Sequence, residues 1–209
     1  TTEGYRVICV HDDRQALTAV QEQDIDLIIL DIRLPGKDGL ELCHELRRMT
    51  HVPILFLSSK TSELDKIIGL SMGGDDYISK PFSPREVVAR VKAHLRRQRL
   101  YENKEKDGNR ELNFPGLKID PLSRKVYVNE SLITLSTKEF ELLYILAKER
   151  KRTFSLDELF QLIWNGDSLG DTRTVMVHIS NLRKKIESDP ANPRYIITIR
   201  GKGYKFNSE

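Results

Sequence analysis

The feature that most narrows the fold of this chain is an alternation in its first half. Short β-branched and aliphatic runs are separated by stretches of amphipathic helical period. A chain with that rhythm builds parallel strands joined by crossover helices, because each crossover returns it to the same end of the sheet. Strands are predicted at residues 6–10, 26–30, 54–57 and 76–78, and helices at about 14–21, 39–48, 64–71 and 84–97. The order is β-α-β-α-β-α-β-α, an α/β unit spanning residues 1–99.

Residues 100–110 are almost wholly polar and read as a flexible linker. Residues 111–209 follow a different pattern, in which Pro115-Gly116, Asp120-Pro121 and Asn129-Glu130 punctuate short strands of a small antiparallel sheet. Ser136 with Glu139, and Ser155 with Glu158, have capping-box spacing ahead of apolar stretches, so helices begin there. Val175, Ile179, Leu182 and Ile186 repeat at helical spacing and define a third, core-facing helix. A hairpin closes the chain around Gly201-Lys202-Gly203. Two domains, the second of α+β type, fit a chain of 209 residues.

Charge matters here through its distribution. Residues 1–99 balance 15 basic against 15 acidic side chains, whereas residues 173–205 carry 8 basic and only 2 acidic. A local excess of that kind suits a phosphate backbone, although a solvated basic surface explains it equally well. No apolar run reaches a membrane-spanning length and the N-terminus has no signal pattern, so a cytoplasmic location is expected. Cys9 and Cys43 lack metal or redox spacing and are expected to be buried, reduced thiols.

Asp31 ends the apolar run Leu27-Ile28-Ile29-Leu30, Ser58 closes the next strand, and Lys80 follows the last one. In a doubly wound sheet such strand ends line the ligand crevice. A carboxylate there can attack a phosphoryl donor, while a lysine and a hydroxyl bind the transferred oxygens. Taken singly, a helix cap, a turn serine and a surface lysine are the commoner explanations.

Leu30-Asp31-Ile32-Arg33-Leu34-Pro35-Gly36, Phe56-Leu57-Ser58-Ser59 and Gly73-Gly74-Asp75-Asp76-Tyr77-Ile78-Ser79-Lys80-Pro81-Phe82 together resemble the receiver domains of two-component response regulators. The resemblance implies a flavodoxin-like (CheY-like) fold. It also implies Asp31 as phosphoacceptor, Ser58 as switch hydroxyl, Tyr77 as a rotating aromatic, Lys80 as phosphate-binding cation and a cis bond before Pro81. Mg²⁺ would be held by Asp31, the Arg33 backbone carbonyl and an acidic pair from the first strand of such domains. That pair is not found: His11-Asp12-Asp13 lies only 18 residues before Asp31, and residues 4–17 fit the second strand and helix. The receiver is therefore expected to be N-terminally incomplete, either as a fragment or as a natural truncation. Gly74 stands where receivers usually have Ala. Lys66, Asp75, Asp76, Glu86 and Arg90 occupy positions that, in the OmpR/PhoB subfamily, bridge a two-fold dimer; solvated helix faces are the simpler explanation.

On the third helix, the side opposite the apolar stripe carries Arg173, Val177, Ser180, Asn181 and Lys184, flanked by His178 and Arg183. A small, polar and basic face suits the major groove, where Asn reads adenine edges. With the preceding helix 156–164 and a long turn at 165–171 it forms a helix-turn-helix. Arg200, beside the glycine-flanked tip, points toward a minor groove.

Thr137-Lys138-Glu139-Phe140-Glu141-Leu142-Leu143, Asp171-Thr172-Arg173-Thr174-Val175 and Arg200-Gly201-Lys202-Gly203-Tyr204 resemble the OmpR/PhoB-type winged helix. By that resemblance Trp164, Arg173, Thr174, His178, Arg183 and Thr198 contact phosphates, Arg200 enters the minor groove, and Val177, Ser180 and Asn181 face bases. Lys184 and Tyr204 complete the implied surface. Trp164 and His178 taken alone read as packed residues.

The expectation is a non-enzymatic transcription regulator, phosphorylated on Asp31 by a sensor histidine kinase. It dimerises through its receiver on double-stranded DNA direct repeats and acts on RNA polymerase. The alternative is a winged-helix factor whose degenerate receiver only dimerises. An enzyme acting on a metabolite would leave the basic half without a role.

Overall fold

The computed structural model describes residues 3–33, 38–59, 69–70, 72–103, 111–164 and 172–208. In the first half α1 (Asp13–Glu22) precedes β1 (Ile28–Asp31), α2 (Gly39–Arg47), β2 (Ile54–Ser58), β3 (Asp76–Ser79) and α3 (Pro84–Asn103). The three strands lie in the order β1-β2-β3 and are parallel, with Asp31 opposite Leu57 and Ser58 opposite Ser79. That register brings the strand ends carrying the pocket residues to one edge. Ile54, Leu55, Phe56 and Ile78 are completely buried, as expected of a sheet covered on both faces. Leu42, Cys43 and Leu46 turn one stripe of α2 into this core.

Three sequence expectations are corrected. Residues 6–10 form no strand, and Val7 and Val10 are 61% and 38% exposed. The segment has no strand partner among the described residues, and a lone extended segment cannot satisfy its own backbone. For the same reason Cys9 is exposed, while Cys43 is buried and desolvation pushes its thiol up to about 12. Helix α3 runs on through Asn103, because no Gly or Pro after Pro84 interrupts it, so the polar segment begins as helix rather than as linker. Most of the predicted helix 64–71 lies outside the described residues, with Gly69 and Leu70 helical. The predicted turn 165–171 also lies outside them.

The second half opens with an antiparallel sheet of β4 (Leu112–Phe114), β5 (Leu117–Asp120), β6 (Lys125–Val128) and β7 (Ser131–Ile133), its turns at the three predicted places. Then come α4 (Thr137–Lys148), the short β8 (Thr153–Phe154), α5 (Leu156–Trp164) and α6 (Arg173–Ile186). A hairpin, β9 (Ile196–Ile199) and β10 (Gly203–Phe206), pairs with β8 in the order β8-β10-β9. Strand β8 is two residues long, too short for a sequence period. Ser136 and Glu139 form the reciprocal capping box at the start of α4. Val175, Ile179, Leu182 and Ile186 are all buried in a core shared with α4 and α5. Among the described residues no helix is long and apolar enough to cross a membrane.

Candidate functional site

Asp31 sits at the C-terminal end of β1 with both carboxylate oxygens engaged. Oδ1 accepts from the Arg33 backbone N–H at 3.0 Å, and Oδ2 accepts from Lys80 Nζ. Lys80 reaches it from the end of β3, and the following Lys80–Pro81 bond is cis. Ser58 is completely buried between these strand ends. The Asp31, Ser58 and Lys80 set thus gathers at one edge of the sheet, with the Lys80 cation on the Asp31 carboxylate.

Tyr77 is only 9% exposed, its ring tilted against Phe56 with centroids 6.4 Å apart. The aromatic thus lies inward in this conformation. Gly74 has its own reason to lack a side chain, since a Cβ there would lie 2.4 Å from the buried Phe56 ring.

Of the expected Mg²⁺ ligands, the described residues supply Asp31 and the Arg33 backbone carbonyl. Among the described residues no group of three His, Cys, Asp or Glu side chains is placed to hold a metal. Asp12 instead caps α1, accepting from the Gln15 backbone N–H at 2.8 Å, and Asp13 accepts from the Arg14 backbone N–H.

The assembly cluster is used within the chain. Asp76 pairs with Arg90 at 3.1 Å and Glu86 with Arg90 at 3.2 Å, one turn apart on α3. Burial alone would raise the Asp76 carboxyl, but a hydrogen bond from His94 and the Arg90 guanidinium hold it at about 2. Asp75 is corrected more sharply: it is fully buried, so it presents no surface to a second receiver in this conformation. Its carboxylate accepts from Arg47 Nη2 at 2.6 Å, Ile54 N at 3.0 Å and, from the other half of the chain, Lys138 N at 3.0 Å. These partners outweigh burial and keep it below the usual carboxylate range. Lys66 lies outside the described residues.

The Asp75 contact belongs to an interface between the two halves. Thr137 Oγ1 donates to the His51 carbonyl at 2.9 Å, and His51 Nδ1 meets the Leu135 carbonyl at 2.9 Å. Asn181 Nδ2 donates to the Leu70 carbonyl at 3.4 Å. The last contact is the most informative, because Asn181 is the residue expected to read a base. It is 8% exposed, and His178, one turn earlier, is completely buried. Helix α6 thus turns part of its outer face toward the first domain.

The rest of the predicted surface divides in two. Arg173, Ser180, Lys184, Thr198 and Arg200 are exposed, and Thr174 and Val177 are half-buried. Gly201 and Gly203 adopt φ of 70° and 129°, giving the hairpin a tip that only residues without a Cβ form cheaply. Against expectation, Trp164 is buried, with its ring stacked on Phe160 at 5.5 Å, because the apolar stripe of α5 faces the core. Arg183 is committed to the hairpin: it donates to the Ile196 carbonyl at 2.6 Å and Thr198 Oγ1 at 2.9 Å, over the buried Tyr204 ring. Tyr204 therefore supports the wing from below.

A buried ionic network that sequence patterning gave no reason to expect lies beneath α6. Lys138, completely buried, donates to Glu141 Oε2 at 3.2 Å and to the Ile163 carbonyl at 2.6 Å, and stands over the Trp164 ring. Lys185 reaches Glu139 at 2.7 Å. Polar residues at the start of α4 carry no apolar period, so only the fold shows that they are interior.

Two family profiles match this architecture: "Response regulator receiver domain" over residues 1–92 and "Transcriptional regulatory protein, C terminal" over residues 129–206. DrrB of Thermotoga maritima, described as an OmpR/PhoB homolog, is 31% identical across 93% of this chain and 84% of its own, with a TM-score of 0.45. The chain belongs to the response regulators of the OmpR/PhoB type. The regulator also resembles RitR in two mutant structures, at 27% identity over 100% of this chain and 90% of theirs, with TM-scores of 0.85 and 0.82. Its first half is a receiver domain and its second a winged-helix DNA-binding domain, together an apparatus for two-component regulation of transcription.

Proposed function

We propose that the regulator is a cytoplasmic transcription factor held closed by its own receiver and released by phosphorylation of Asp31. The observation that carries this reading is the position of Asn181: one side chain cannot donate to the Leu70 carbonyl and read a base edge together. In the proposed step Asp31 attacks the phosphorus of a kinase phosphohistidine. An acyl phosphate forms as the P–N bond breaks, and the histidine leaves with a proton. Lys80 then transfers from the Asp31 carboxylate to the phosphoryl oxygens, and Ser58 moves toward them. Movement of β2 and β3 carries from that end to the opposite one, where Ile54 and Asp75 stand, and loosens the contact between Asp75 and Lys138. Residue ranges 1–99, 100–110 and 111–209 act as receiver, connector and DNA-binding unit.

Once open, the faces bearing Asp75, Asp76, Glu86 and Arg90 become available to a second receiver. Two tethered winged helices then meet direct-repeat half-sites at high effective concentration, a gain of about 10²–10⁴ in occupancy without new DNA contacts. RNA polymerase is the partner that reads the result. In this reading the Asp31 pocket is a phosphoryl acceptor and turns over no metabolite.

The alternative, a receiver that dimerises without phosphorylation, is favoured by one observation: the described residues supply no metal-holding set beside Asp31. Incubating the chain with acetyl phosphate, and reading intact mass, dimerisation and tandem-site binding, decides between them. The expected result is a phosphoryl adduct with stronger tandem-site binding, both lost in Asp31→Asn. Equal dimerisation and tandem-site binding by Asp31→Asn would establish the alternative.

A further inference from the structure

His178 lies on the face of α6 that meets the receiver, three residues before Asn181, and is completely buried. Neither of its ring nitrogens has a hydrogen-bond partner among the described residues. The Trp164 ring stands against it at 5.4 Å. The charged groups facing it are Glu139 and Lys138 from α4, Asp75 beside β3 and Arg47 from α2. The two acids act more strongly on it than the two cations, but burial outweighs them all and disfavours an imidazolium. Both acids are already engaged: Glu139 Oε2 takes the Ser136 backbone N–H and Lys185 Nζ, and Asp75 is held by Arg47, Ile54 N and Lys138 N.

We propose that His178 is an acid-sensitive latch between the recognition helix and the receiver, closed only while the imidazole is neutral and released by its protonation. The inference deepens the closed-to-open reading above and rests on it. A buried charge without a partner is the least tolerable group in an interface, whereas an exposed imidazolium on a free α6 is fully solvated. Burial in the closed form holds His178 down to about 4 against an ordinary value of 6.5. The open form therefore binds the additional proton as pH falls below 6.5, and opening becomes up to ~10-fold more favourable per pH unit until the closed form itself titrates. Asp75, held below the carboxylate range, stays ionised across that window. His51, the other imidazole at the interface, donates from Nδ1 to the Leu135 carbonyl.

The test uses the full chain without DNA. The ring resonances of His178 are followed by NMR from about pH 7.5 to 4.5, and domain separation by small-angle X-ray scattering over the same range. The expected result is a chain that expands as pH falls, with the open-to-closed ratio rising about 15-fold between about pH 6.5 and 5. His178→Leu and His178→Gln should flatten that dependence; the second keeps a polar group of similar size should the first fail to fold. An unshifted His178 midpoint near 6.5 in the compact chain, no pH-dependent expansion, or expansion of the same size in His178→Gln overturns the latch. Operator binding at about pH 7.5 is measured separately. Loss of all DNA binding with the His178-dependent expansion intact would leave the latch standing and remove the DNA-reading role of α6.

Discussion

The carboxylate of Asp75 accepts the backbone N–H of Lys138 at 3.0 Å, so a receiver side chain occupies the first turn of the helix that opens the DNA-binding core. An anion at a helix N-terminus meets unpaired N–H groups and the positive end of the helix dipole, which makes this contact favourable beyond its geometry.

Replacing Asp75 by Asn should leave Arg47 buried without its counter-charge and lower global stability by roughly 3–5 kcal/mol. Denaturant unfolding measures the loss, and hydrogen exchange at the Lys138 amide should speed up beyond it. A Lys138 amide as protected as in the parent would show that Asp75 does not hold the halves together.

Asp76 gives a pH signature. Its carboxyl is held at about 2 in the folded chain against 3.8 ordinarily, so its contribution is complete above 3.8 and vanishes as pH falls through about 2. The difference of nearly two pH units corresponds to ~2 kcal/mol. Unfolding of the parent and Asp76→Asn, compared from about pH 6 to 2, should differ most at the upper end and converge in acid. A constant difference would mean that packing, not charge, distinguishes them.

Arg200, exposed beside the hairpin tip, acts through charge if it enters the minor groove. Arg200→Ala should weaken binding to every operator and make the slope of log affinity against log salt shallower by about 1. An unchanged slope would place Arg200 away from the DNA.

Asn181→Ala should behave differently, relaxing preference at one base position at a cost of roughly 1–3 kcal/mol for the preferred base. Competition among operators varied one position at a time measures it. Uniform loss over all of them would make Asn181 a backbone contact.

Much of this protein was legible from residue order alone. Strand and helix periods located β1, β2, β3, α2 and the helices of the second half, because burying one face of an element imposes its own repeat on the chain. The Asp31, Ser58 and Lys80 set was legible because parallel strands deliver their C-terminal ends to one edge. What the sequence could not determine was which polar residues are interior. Lys138, Glu139, Asp75 and His178 carry no apolar signal, and each is buried only because a partner distant in the chain supplies its hydrogen bond, its counter-charge or its cover. Residues 6–10 show the converse: a segment with strand composition stays without strand structure because pairing requires a neighbour that local sequence cannot provide. The sequence thus determined the elements and their chemistry, through periodicity and residue type. Only the tertiary structure decided that α6 turns Asn181 and His178 toward the receiver, since that depends on two surfaces meeting and on which charges are neutralised when they do.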